Sequence, residues 1–225
     1  KNINKKLHSI LQKSNMSTLN PPEEVELAQK LVSIHSWAGM ARFAKTGGEA
    51  NAIAIRIARA ASNNRHKIAF CGYHGWHDWY LSANLNDNDA LNTHLLSGLD
   101  TKGVPATLKN TIFGFRYNDI SSLKKILKKN KDIGIVKMEV TRNYLPNNDF
   151  LKEVRDICNK KKLILIFDEC TTGFRLNYGG IHKIFKVNPD IAVFGKALSN
   201  GYPLTAIIGK TKIMKNAQYS FISST

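Results

Sequence analysis

The sequence predicts an α/β fold, a three-layer α/β/α sandwich around a mainly parallel sheet of about seven strands. Two observations carry that expectation. Short apolar runs alternate with amphipathic helical stretches along the chain, and the run Leu163-Ile164-Leu165-Ile166-Phe167 is apolar at every position. Strands buried on both faces read as continuous apolar runs, which is the mark of a parallel sheet covered by helices on each side.

Residues 23–34 read as a helix, with Val25, Leu27, Leu31 and Ile34 apolar and glutamates in the first turn. Strands are expected at 41–44, 67–71, 111–115, 133–138, 163–167, 191–194 and 205–208. Helices are expected between them at about 49–62, 119–130 and 149–161, with Asp119 and Asp149 placed as N-caps. In the helix at 49–62, Ala50, Ile53, Ala54, Ile57, Ala58 and Ala61 follow the helical repeat, while Arg56 and Arg59 fall away from that face. Small alanines let such a helix lie close to a sheet. Residues 82–110, rich in Asn, Asp, Gly and Thr, read as a long functional loop.

With 225 residues, the chain can bury a full core. No apolar run reaches membrane-spanning length, and Lys1 to Lys13 lack the apolar core of a secretory signal. Cys71, Cys158 and Cys170 are scattered and odd in number, which argues against a disulfide framework and for a reducing, cytoplasmic setting. Thirty-three basic residues against 17 acidic ones give a net charge of +16, which raises nucleic acid or a membrane surface as partners. The lysines are dispersed, however. Their densest cluster, Lys124, Lys125, Lys128, Lys129 and Lys131, belongs to one amphipathic helix and reads as its solvated face. The chain starts without Met and stops at Ser223-Ser224-Thr225 with no terminal helix, so it is expected to be a segment of something longer. Residues 1–22 are read as an N-terminal remnant or linker and 23–225 as the large domain.

Four motifs fall at strand ends. Asp168-Glu169 closes the apolar run at 163–167, and ligands of open parallel sheets bind at the carboxyl ends of strands. The same pattern describes the acidic strand of phosphate-loop ATPases. That reading fails, because the only Gly-Lys-Thr, Gly209-Lys210-Thr211, follows the acidic strand and has Leu204 where the first glycine must stand. Lys196 directly follows the apolar strand 191–194 and Gly195, with Gly201 close behind. The stretch between Glu169 and Asp190 is long enough for a parallel crossover, which brings Asp168 and Lys196 to one sheet edge. Thr46-Gly47-Gly48-Glu49 joins a strand to the alanine-rich helix, where glycine backbone and helix N-terminus suit a phosphate. Finally, Gly72-Tyr73-His74-Gly75-Trp76-His77-Asp78-Trp79 follows the strand at 67–71, and its aromatics suit a planar ligand. His74, His77 and Asp78 suggest a metal, but no further Cys, His or carboxylate completes a ligand set, so none is expected.

In this order the motifs resemble those of the class III aminotransferases of fold type I, and within them the glutamate-1-semialdehyde 2,1-aminomutase-like branch. The resemblance runs from about Glu23 to Thr225. It implies that Lys196 carries pyridoxal 5′-phosphate as a Schiff base and that Asp168 pairs with the pyridine nitrogen. It further implies that Gly47 and Gly48 bind the phosphate and that Tyr73 stacks on one face of the ring. Cys170 would lie against the other face, where the family commonly has valine. Thr225 would reach the phosphate of a neighbouring subunit, which implies a homodimer with shared sites. Glu139 and Asn143 align with a family segment that usually reads Glu-Pro, and the proline is absent here.

By that resemblance the chain is the cofactor-binding large domain of a transaminase or aminomutase acting on a small amino or keto substrate, without its C-terminal small domain. Nucleic acid and membrane partners are not expected. Two other readings stand beside it: a noncatalytic cofactor-binding relative or incomplete scaffold segment, and a basic nucleic-acid-binding domain motivated only by the charge.

Overall fold

The computed structural model describes residues 2–12, 20–94, 97–147 and 149–222. Seven strands form one sheet: β1 (Met40–Ala44), β2 (Lys67–Cys71), β3 (Ile112–Gly114), β4 (Ile133–Glu139), β5 (Ile164–Asp168), β6 (Ile191–Phe194) and β7 (Thr205–Gly209). Their spatial order is β1-β7-β6-β5-β4-β2-β3. Strands β2 to β6 are mutually parallel, whereas β7 is antiparallel to both β6 and β1. The connection at 195–204 explains that reversal, because a parallel crossover needs a dozen or more residues. Two successive reversals leave β1 running in the same sense as β6, so Ala44, Cys71, Glu139, Asp168 and Phe194 all end at one edge.

The helices are α1 (Asn2–Leu11), α2 (Pro22–Ile34), α3 (Gly47–Ala61), α4 (Asp78–Leu81), α5 (Ile120–Lys129), α6 (Phe150–Lys161) and α7 (Thr211–Met214). Strand parity sorts the core into two layers. Ile164 and Ile166 pack with α3 residues Ala50, Ala54, Ile57 and Ala58, whereas Leu165 and Phe167 pack with Leu123, Leu127, Leu151 and Val154 of α5 and α6. On that second face Leu31 of α2 covers Ala192, Phe194, Ala206 and Ile208. The chain is therefore the expected α/β/α sandwich. Among the described residues, no helix is long and apolar enough to cross a membrane.

Local chemistry explains where these elements begin. Helix α3 opens with a capping box, in which Thr46 Oγ1 accepts from Glu49 N–H at 3.2 Å and Glu49 Oε2 accepts from Thr46 N–H at 2.9 Å. Its buried face is wider than the alanine stripe, taking in Asn51 and Ile55 as well. Asp119 caps α5 by accepting from Ser122 N–H at 3.0 Å. Asp149 occupies the N-cap place of α6 with a helical backbone, where an N-cap is ordinarily extended, and makes no side-chain cap bond among the described residues. The lysines of α5 are exposed opposite buried Leu123 and Leu127, as expected of a solvated face. Residues 82–110 are less open than a long loop: they hold three short 3-10 turns and bury Leu91 and His94.

Candidate active site

The acidic pair that ends β5 splits across the sheet. Asp168 shares the parity of Ile164 and Ile166 and faces the α3 layer, so Glu169 turns to the opposite face. There Glu169 is fully buried and accepts from Ile181 N–H, His182 N–H and Thr172 Oγ1–H, each at 2.9 Å, and from His182 Nδ1–H at 2.6 Å. Those bonds fold the segment after β5. Only Asp168 is left for chemistry at the edge.

Asp168 is 4% exposed. Its Oδ2 accepts from His74 Nδ1–H at 2.8 Å, and its Oδ1 accepts from Cys170 N–H at 3.1 Å. The Lys137 ammonium lies 3.9 Å from Oδ2. Burial pushes the Asp168 carboxyl up, but the charge of Lys137 and the hydrogen bonds outweigh it and hold the group well below the usual carboxylate range. His74 is held down at about 4, by burial first and by the Lys137 charge second; its Nδ1 faces Asp168 Oδ2 and its Nε2 lies 3.1 Å from Cys71 O. The result is a permanently anionic carboxylate at a strand end, which suits a cationic ring nitrogen.

Lys196 follows β6, the parallel neighbour of β5. It is exposed, its Nζ donates to Thr171 Oγ1 at 3.0 Å, and its backbone has φ +46°, a region few non-glycine residues enter. Cys170 lies between the turns that follow β1 and β6. A Cβ built on Gly47 would sit 3.7 Å from Cys170 Sγ, and one on Gly195 would sit 3.4 Å from it.

At the mouth of α3, Gly47 and Gly48 carry N–H groups with no intrahelical acceptor. A Cβ on Gly48 would fall 2.5 Å from His77 Cε1, so the imidazole lies directly on this first turn. His77 Nδ1 is buried there without a hydrogen-bond partner among the described residues. Free N–H groups and the helix dipole make this corner receptive to an anion.

Tyr73 is half-buried beside these groups. Its backbone N–H donates to Glu139 Oε2 at 3.0 Å, its ring meets Tyr80 edge-on at 5.9 Å, and the Arg142 guanidinium lies 5.5 Å from the ring centre. Glu139 is buried and paired with Arg142 Nη1 at 3.0 Å. Burial raises its carboxyl, with the Asp168 charge adding to the shift. Glu139 thus ties the loop after β2 to the end of β4.

The sequence-predicted residues Asp168, Lys196, Cys170, Gly47, Gly48, Tyr73 and Glu139 therefore meet at one sheet edge. Asn143 lies exposed after β4 and makes no side-chain hydrogen bond among the described residues. Thr225 lies outside the described residues. His74, His77 and Asp78 do not converge: His74 goes to Asp168, His77 to Gly48, and Asp78 is exposed at the start of α4.

Sequence reasoning missed three participants. His74 was weighed only as a metal ligand. Lys137 gave no signal beyond a single lysine inside an apolar strand. Thr205, whose buried Oγ1 donates to Ala44 O at 2.9 Å and fixes the start of β7 to the turn before α3, looked like any strand threonine.

Comparison with known proteins agrees with this geometry. The family model described as Aminotransferase class-III matches residues 2–225. The chain is 37% identical to a 3-aminobutyryl-CoA aminotransferase of Cloacimonas acidaminovorans, over 97% of this chain and 50% of the relative. It is 34% identical to a glutamate-1-semialdehyde 2,1-aminomutase of Sulfurisphaera tokodaii, over 95% of this chain and 51% of the relative. The crystal structure of an omega-transaminase from Sphaerobacter thermophilus superposes with a TM-score of 0.82 at 25% identity, covering 94% of this chain and 50% of that one. The PLP internal aldimine form of the FumI protein of Sphingopyxis sp. MTA144 gives a TM-score of 0.77 at 25% identity, over 92% and 48%. The chain spans about half the length of the relatives it matches. With the acidic strand end, the following lysine and the glycine turn in one place, the chain belongs to the class III aminotransferase family.

Proposed function

We propose that this chain binds pyridoxal 5′-phosphate at the carboxyl edge of its sheet and forms the cofactor-binding core of an enzyme that transfers amino groups. The observation that carries the reading is the buried Asp168 on β5, bonded to His74 and 3.9 Å from the Lys137 ammonium, beside the β6 end that presents Lys196. The residues fit the cofactor at both of its poles. Asp168 offers a negative partner for a protonated ring nitrogen, and the Gly47-Gly48 turn, with the unpartnered His77 Nδ1, offers donors for a phosphate.

When bound, the cofactor supplies an aldehyde carbon that takes up amines and a ring that withdraws electrons from the reacting carbon. The chain's own residues do the rest. Asp168 holds the ring nitrogen proton, and His74 and Cys170 N–H orient Asp168. Gly47 and Gly48 would hold the phosphate, and Cys170 and Tyr73 would pack against the ring. Lys196, whose Nζ stands at the end of β6, would hold the cofactor and would serve as the base that moves a proton at the substrate carbon. Glu139 positions Tyr73 through the backbone, and Asn143 stands exposed in the loop after β4.

The named relatives include an aminotransferase and an aminomutase, so the amino group goes either to a second small keto acceptor or to a neighbouring carbon of the same molecule. Two copies would share sites in a homodimer, with Thr225 reaching the partner's phosphate, in a reducing cytoplasmic setting. Titrating the full-length protein with pyridoxal phosphate and following visible absorbance tests the reading. A saturable band that Asp168→Ala weakens at least tenfold supports it, and no band in wild type excludes it. A 15N-labelled amino donor then separates the two reactions, because label in a second molecule rules out a purely internal shift.

A further inference from the structure

Strand β4 is buried along its whole length, and one of its residues is a lysine. Lys137 is 0% exposed and shares the α3-facing parity of Ile135 and Glu139. Its Nζ donates to Asn51 Oδ1 of α3 at 2.6 Å and lies 3.9 Å from Asp168 Oδ2. The Trp79 ring centre is 5.9 Å away. An isolated ammonium in such a place is costly to desolvate, so it persists only beside a counter-charge.

Asp168 is that counter-charge. The other groups facing the pair do not replace it: His74 already donates to Asp168, Glu139 is paired with Arg142, and Asn51 is neutral. Cys170 presents a thiol whose ionisation burial opposes. A protonated ring nitrogen held by Asp168 would be a second cation on a carboxylate that Lys137 already addresses from β4.

We propose that Lys137 is a positioning residue that divides the negative charge of Asp168 with the cofactor's ring nitrogen, so that this nitrogen holds its proton less firmly than Asp168 alone would make it. The proposal rests on the reading of Asp168 as the ring-nitrogen partner. The sign follows from Coulomb's law, because the positive charge on Lys137, which burial opposes and the Asp168 carboxylate supports, also repels the proton on the ring. Lys137 therefore sets how strongly the ring withdraws electrons without touching the substrate.

The test uses full-length holoprotein loaded with ring-15N pyridoxal phosphate, following the ring 15N shift from pH 6 to 9. Lys137→Met removes the charge and keeps an unbranched side chain one atom shorter. The expected result is a rise in ring-nitrogen proton affinity of at least tenfold, seen as an upward move of the titration midpoint by one unit or more. Asn51→Asp is the second variant. It gives Lys137 its own carboxylate and should move the midpoint the same way, even if the methionine variant does not fold. Unchanged midpoints in the folded variants, with the wild type loaded, would overturn the role of Lys137 and leave the cofactor reading intact. A wild type that takes up no cofactor would overturn both.

Discussion

His74 donates its Nδ1–H to Asp168 Oδ2 across 2.8 Å, and both side chains are closed to solvent. A hydrogen bond to a buried carboxylate contributes about 1.5–3 kcal/mol. His74→Phe keeps a planar ring and removes the donor, so it should destabilise the protein by about that amount. It should also weaken cofactor binding, because Asp168 then loses one of the two hydrogen bonds that orient it. Denaturant unfolding and absorbance titration of the same preparation measure the two effects. A variant as stable as wild type would mean that the bond is unimportant.

Acidification should destabilise the fold well above the carboxylate range. Burial is the first cause that holds both His74 and His94 down to about 4, from an ordinary value of 6.5. His94 Nδ1 accepts from Gly72 N–H at 3.1 Å, a bond that its protonated form cannot make. Between pH 6.5 and about 4 the unfolded chain binds protons that the folded chain refuses, so stability is full above 6.5 and falls as the pH drops. Each histidine contributes a slope of about 1.4 kcal/mol per pH unit in that window. Urea midpoints measured from pH 7 to 4.5 should show the slope, and His94→Gln should remove one histidine's share. An unchanged slope in that variant would rule His94 out.

Gly48 is required by an imidazole, not by its backbone angles. Because a Cβ there would lie 2.5 Å from His77 Cε1, Gly48→Ala must push the ring off the first turn of α3. We expect a loss of about 1–3 kcal/mol of stability and at least a tenfold weaker cofactor complex. His77→Ala in the same chain should restore the stability, since the clash is then gone. A double variant as unstable as the single one would place the strain elsewhere.

The two acids that end β5 should separate by assay. Glu169 holds the segment 169–182 from the face away from the site, accepting three hydrogen bonds at 2.9 Å. Glu169→Gln should lower stability by about 2–4 kcal/mol, within the cost of disturbing a buried charged network. It should leave cofactor affinity within a few-fold of wild type. An affinity loss as large as that of Asp168→Ala would mean that the pair acts as one.

These results separate what was legible in the sequence from what was not. Strands β2 and β6 match their expected bounds to the residue, because each ends in four apolar residues stopped by glycine. The strand ends were therefore readable, and with them the placing of Asp168, Lys196, Gly47 and Tyr73. Partnerships across the fold were not. His74 and Asp168 are 94 residues apart, and Lys137 and Asn51 are 86 apart, so no local pattern announces either pair. A lysine inside an apolar strand reads as exposed until its counter-charge is located. The divergence of Asp168 from Glu169 follows from strand parity, yet it needed the α3 layer to say which face holds the site.

The most direct measurement is reduction of the cofactor-loaded full-length protein with borohydride, followed by peptide mapping. The expected result is one pyridoxyl group on the Nζ of Lys196, and none when Lys196→Ala is treated in the same way. A reduced group on another lysine, or equal labelling of the alanine variant, would contradict the assignment of Lys196 as the anchoring residue.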